Sequence, residues 1–107
     1  MSNDDIRPIL KKIKRGLLQI YGDHVDRILL YGSRARGDER PDSDIDILIV
    51  LKDEFNYSEM LRLSSDWAAS LSLENDVVIS RAFVSKEQFE HRQTPFLMNV
   101  RREAVPV

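Results

Sequence analysis

Cysteine is absent from the 107 residues of this chain. That removes disulfides, thiolate metal sites and cysteine nucleophiles together, and it fits a cytoplasmic setting. Long apolar runs are missing too. None approaches the roughly 20 residues needed to span a bilayer, so no membrane role is expected. The opening stretch, MSNDDIRPILKKIKRG, puts acids before bases and has no apolar core, unlike a secretory signal. Nor is there an excess of positive charge: 16 basic side chains stand against 18 acidic ones, a formal net charge of −2. Extended DNA or RNA binding draws on phosphate neutralisation and normally needs a basic protein, so it is disfavoured here. The cluster Lys11, Lys12, Lys14 and Arg15 reads as the solvated face of a helix. No repeat, low-complexity tract or Pro/Gly/Ser linker divides the chain, which reads as one domain over 1–107.

The apolar share of 42% and charged share of 32% are those of an ordinary globular protein. Ile6, Ile9, Leu10, Ile13, Leu17 and Ile20 recur at helical spacing and predict a helix over residues 4–21, with Pro8 tolerable only in its first turn and Gly22 as its stop. Asp26 to Tyr31 reads as a strand halted by Gly32, and Ser33 to Arg40 as one helical turn followed by a loop. Pro41-Asp42-Ser43 reads as a turn. Ile45 to Leu51 is aliphatic except for Asp46, the pattern of a strand buried on both faces. Asn56, with Glu59 three residues on, opens a helix carrying the apolar stripe Leu63, Trp67 and Leu71. Asp76 to Ile79 predicts a third strand. Ser85 with Gln88 forms a capping box, and Thr94-Pro95 starts a last helix through Arg102. The expected fold is therefore α/β, a small mixed sheet flanked by helices.

The chemistry is concentrated between Tyr31 and Asp46. A Gly-Ser pair ends one strand, ten residues follow, and Asp44-Ile45-Asp46 opens the next. At average residue usage those four positions would coincide by accident in about one chain of this length in a thousand. Residues two apart on a strand face the same side, so Asp44 and Asp46 present carboxylates from Cα atoms about 6.6 Å apart. Two such charges 4 Å apart repel by roughly 4 kcal/mol at an effective dielectric of 20. A proton or cation must sit between them. Mg²⁺ prefers one or two carboxylates plus phosphate oxygens, and two such ions can serve the attacking and leaving groups of a displacement.

Gly32 lets a phosphate approach the backbone, Ser33 adds a hydroxyl donor, and Arg34 or Arg36 could neutralise a triphosphate tail. Asp76, before Val77-Val78-Ile79, is a candidate third carboxylate, as general base or second-metal ligand; turn chemistry at a helix–strand junction is the competing explanation. His24 and His91 read as surface residues. Tyr21, Tyr31 and Tyr57 read as packing residues.

Gly32 to Gly37 and Ser43 to Val50 match the signature of the minimal nucleotidyltransferases, Gly-Ser-x-Ala-Arg-Gly, a spacer, then Ser-Asp-x-Asp and an aliphatic strand. The chain resembles that family, within the DNA polymerase beta-like superfamily. Thr94-Pro95-Phe96 and Asn99 to Glu103 further resemble the ending of its MntA-like antitoxin branch. The resemblance implies that Asp44 and Asp46 bind Mg²⁺, that Ser33 and Arg36 hold the triphosphate of ATP, and that Asp76 is the third acid. It also implies a partner, a HEPN-domain ribonuclease toxin silenced by transfer of AMP to one of its tyrosines, and hence a hetero-oligomer. Two other functions compete: nucleotidyl transfer to a small molecule or RNA end, and neutralisation of a toxin by contact alone. The short chain and its acidic charge count against the first. Paired strand carboxylates, which a binding surface does not need, count against the second. The last helix could dock on its own sheet or on the partner.

Overall fold

Helix α1 (Arg7–Tyr21) forms because its apolar residues fall on one stripe, and Ile9, Ile13, Leu17 and Tyr21 are buried along it. Pro8 lies in the first turn, where its missing N–H costs nothing. Lys11, Lys12, Lys14 and Arg15 are exposed on the opposite side. The computed structural model describes residues 6–37 and 44–107; the start of the expected helix at residues 4–5, and the expected Pro41-Asp42-Ser43 turn, lie outside them.

A 3₁₀ turn over Gly22–His24 leads into β1 (Val25–Tyr31). A single short helix, α2 (Ser33–Arg36), follows the sharp bend at Gly32. Next come β2 (Ile45–Leu51), α3 (Tyr57–Asn75) and β3 (Ile79–Ser85). Helices α4 (Lys86–His91) and α5 (Pro95–Glu103) and a two-residue strand, β4 (Val105–Pro106), complete the chain.

The sheet runs β3-β2-β1-β4. Strands β1 and β2 are antiparallel, with Tyr31 opposite Asp46, and β2 and β3 are parallel, with Asp46 opposite Ser80. The parallel pair needs a crossover, which α3 supplies. One face of the sheet packs Ile28, Leu30, Ile45, Ile47, Ile49 and Phe83 against α1 and α3. The other packs Leu29, Leu48 and Val50 against Phe89 of α4 and Leu97 and Val100 of α5. Strand β2 is thus covered on both sides, as its aliphatic run demands.

The caps form as the side chains require. Asn56 accepts from the Glu59 N–H, Thr94 from the Leu97 N–H, and Ser85 and Gln88 make a reciprocal capping box. Two expectations are corrected. The third strand begins at Ile79, not Asp76, because Asp76 is consumed as the C-cap of α3, in the left-handed region at φ 51°, with its N–H bonded to the Ser72 carbonyl. Leu63 faces solvent at 45% exposure, whereas Leu71 is buried and Trp67 half-buried. The indole of Trp67 lies against Gly16 of α1, so close that a Cβ there would overlap it. No helix among the described residues is long and apolar enough to cross a membrane.

Candidate active site

Tyr31 ends β1 directly opposite Asp46 on β2. The chain then turns at Gly32, whose φ of 77° is a conformation that side chains with a Cβ rarely adopt. A Cβ at Gly32 would also overlap Oδ2 of Asp46. Two constraints therefore require glycine here, and the second ties the Gly32-Ser33 turn to the strand carboxylate. Helix α2 begins at once: the Ala35 and Arg36 N–H groups donate to the Gly32 carbonyl at 3.1 and 3.2 Å, and Gly37 N–H closes the turn on Ser33 at 3.0 Å. Ser33 thus stands at the first position of the helix, beside the bend.

Asp44 is exposed and Asp46 half-buried on the face that α4 and α5 cover. Burial raises the proton affinity of Asp46, the neighbouring Asp44 carboxylate raises it further, and the Arg36 guanidinium opposes both. The three side chains therefore share one electrostatic field. The phenol of Tyr31 is pushed up to about 12, first by burial, then by Asp46 and Tyr57, so it stays a neutral donor at any physiological pH.

The two arginines of α2 differ in placement, Arg34 being buried and Arg36 exposed. Arg34 is only 1% exposed, while Arg36 reaches across to Glu103 at the end of α5, with Nη1 to Oε2 at 3.4 Å. Asp76 does not join the carboxylate pair. It is exposed on its cap, and among the described residues no three His, Cys, Asp or Glu side chains gather as a metal site. The β3 residue opposite Asp46 is Ser80, so strand geometry places a hydroxyl where the sequence suggested an acid. His24 and His91 are exposed, as expected.

Two cavities border α5. The larger, about 680 Å³, runs between the β3 edge, α4 and the start of α5, and none of the six site residues lines it. The smaller, about 230 Å³, is bounded by Tyr31, Gly32 and Arg36 on one side and by Phe96, Asn99, Val100 and Glu103 of α5 on the other. The smaller one adjoins the candidate site, since Gly32 and Arg36 line it. Nothing local in the sequence pairs Glu103 with Arg36 or brings it to Tyr31. Glu103 meets Arg36 across 67 positions of chain, a contact only the packing of α5 creates.

A model of the family described as polymerase beta, nucleotidyltransferase, matches residues 11–94 of the chain. The chain belongs to that family. It is a nucleotidyltransferase. A protein of Methanocaldococcus jannaschii named "Putative protein adenylyltransferase MJ0141" is 35% identical over 82 residues, covering 77% of this chain and 82% of its own. Among solved structures, "a putative nucleotidyltransferase from Sulfolobus solfataricus" superposes with a TM-score of 0.67 at 20% identity, over 97% of this chain and 80% of that one. A toxin–antitoxin crystal structure with AMP-PNP gives 0.62 at 23% identity, over 90% and 69%. The mixed sheet with helices on both faces is thus the nucleotidyltransferase fold, and the Gly32-Ser33 turn and the Asp44–Asp46 pair fall inside the matched span.

Proposed function

We propose that this nucleotidyltransferase uses Mg²⁺ to transfer AMP from ATP to a tyrosine of a partner HEPN-type ribonuclease toxin, acting as its antitoxin in the cytoplasm. One observation carries the chemical half: the backbone at Gly32 lies so close to the Asp46 carboxylate that a Cβ there would overlap Oδ2. A phosphate held on the Gly32-Ser33 turn therefore lies beside the carboxylate pair. Two neighbouring carboxylates, of which Asp46 has its proton affinity raised by burial and by Asp44, suit a hard cation at a half-buried strand end. Asp44 and Asp46 would hold Mg²⁺, completed by phosphate oxygens. When bound, the metal supplies the positive charge that activates an acceptor oxygen and stabilises the departing pyrophosphate. Ser33 donates its hydroxyl to the phosphate tail, and Arg36 offsets its charge. Asp76 has no part in this scheme, so metal binding falls to two carboxylates.

Support for a protein acceptor comes from the adenylyltransferase named above, 35% identical to this chain. The toxin partner rests on the resemblance of Thr94 to Glu103 to the MntA-like ending. Leu97 and Val100 of α5 are spent on the sheet, whereas Phe96 and Met98 remain 42% and 49% exposed, so one helix can dock inward and still offer apolar surface to a partner. The test is to incubate the protein with labelled ATP, Mg²⁺ and the product of the adjacent gene, then to seek an adenylate on that product by mass spectrometry. Asp44→Ala and Asp46→Ala should each abolish the adduct. An adduct that survives both substitutions would sink the catalytic assignment, and toxin neutralisation without any adduct would show antitoxin action by contact alone.

A further inference from the structure

The small cavity between β1 and α5 has an inner wall from the phosphate turn and an outer wall from α5, which lies beyond the family-matched span of residues 11–94. We propose that this cavity is the ribose subsite of the nucleotide, with Glu103 and Asn99 recognising the sugar hydroxyls. The proposal rests on the nucleotide reading above and adds to it the means by which a ribonucleotide is selected.

Position comes first. The cavity shares Gly32 and Arg36 with the turn assigned to the phosphates, and Tyr31, which lines it, is the strand partner of Asp46. A nucleotide with its phosphates on the turn and its reacting phosphorus at the carboxylates must place its sugar within one short bond path of both. The larger cavity shares none of those three residues.

Chemistry narrows the occupant. The lining offers one cation, one carboxylate, one amide and the rings of Tyr31 and Phe96, which meet edge to face with centroids 5.4 Å apart. A second phosphate in this space would face the Glu103 carboxylate and be repelled. A neutral diol is suited to it, because two adjacent hydroxyls donate to a carboxylate and an amide oxygen. A volume of about 230 Å³ admits a sugar and excludes a whole nucleoside triphosphate. Glu103 is paired with Arg36 at 3.4 Å, Arg102 approaches its other oxygen at 3.9 Å, and Asn99 Oδ1 accepts from Arg102 at 2.7 Å, so each acceptor would meet the sugar through a remaining lone pair. A carboxylate oxygen keeps a second lone pair beside a charged partner, so Glu103 can accept from a sugar hydroxyl while still paired with Arg36.

The test is calorimetric binding of ATP, 2′-deoxyATP, 3′-deoxyATP and inorganic tripolyphosphate, each with Mg²⁺, to the full chain, needing no partner. The wild type should bind ATP about tenfold more tightly than either deoxy form, the loss expected when a hydroxyl bonded to a charged acceptor is removed. Glu103→Ala should bring those ratios near one while leaving tripolyphosphate binding intact or tighter, and Glu103→Gln should fall between. Asn99 is exposed, so Asn99→Ala supplies the same reading in a variant whose fold is not at risk. If Glu103→Ala shifts all four ligands by one common factor, the residue acts only through Arg36 and the proposal is overturned. A wild type that binds ATP and both deoxy forms equally overturns it too, yet leaves the nucleotide reading standing. A wild type that binds none of the four overturns both.

Discussion

Asp46 is the residue on which stability and function pull in opposite directions. Its folded proton affinity is raised by burial and by Asp44 above the ordinary carboxylate value of 3.8. The folded state therefore holds that proton more tightly than the unfolded chain does. The resulting stability is complete below the unfolded value and is lost as pH rises through the raised folded one. At neutral pH the metal-free protein carries a repulsion only partly offset by Arg36, which a divalent cation would relieve further. In EDTA at pH 7, Asp46→Asn should accordingly melt a few degrees above the wild type, of the order of a 1 kcal/mol change in a domain of this size. The gap should close toward pH 3, and added Mg²⁺ should raise the melting temperature of the wild type alone. Thermal scans across pH with and without Mg²⁺ check this. A wild type whose melting point ignores Mg²⁺ would leave the carboxylate pair without its cation. Gly32 belongs to the same cluster, since its backbone conformation and its contact with Asp46 both refuse a side chain.

Elements are held in place by contacts that periodicity alone does not reveal. Helices α1 and α3 approach closely because Gly16 has no side chain and the Trp67 indole fills the space. A glycine inside a helix normally gains roughly 1 kcal/mol when replaced by alanine. Here the new methyl group would enter the indole, and overpacking of that kind costs about 1–3 kcal/mol. Gly16→Ala should therefore destabilise the protein, which urea unfolding would show as a lower midpoint at unchanged slope; a rise in the midpoint would mean the helices can separate freely. Elsewhere α3 is anchored through polar groups. Tyr21 donates to Ser64 at 2.9 Å, and Arg81 of β3 donates to the same Ser64 hydroxyl and to the Leu61 carbonyl. Such a network holds the crossover helix against the parallel strand.

At the scale of the molecule, α5 closes the second face of the sheet and supplies one wall of the site. Its hold depends on Leu97 and Val100 packing over Leu29, Leu48 and Val50. Truncating a buried leucine costs about 2–5 kcal/mol, a large part of the 5–15 kcal/mol that stabilises a typical domain. Leu97→Ala should lower unfolding stability by that amount and also weaken ATP binding, although the residue lines only the cavity remote from the phosphate turn. Matched urea titrations and ATP binding would report both, and a stability loss with ATP binding unchanged would show that α5 is not part of the nucleotide site.

The sequence by itself determined the central strand, the helix caps, the Gly32-Ser33 turn and the pairing of Asp44 with Asp46. These are local matters: aliphatic runs, cap side chains and a two-residue period act over a few positions and leave a direct mark. Tertiary structure alone decided the rest. It withdrew Asp76 from the carboxylates, because the same residue was needed to end α3, and put Ser80 across from Asp46 instead. It buried Arg34 and left Arg36 to reach Glu103. It added β4 and brought α5 beside the Gly32-Ser33 turn, because the apolar face of β1 and β2 required a cover that no short stretch of sequence could announce.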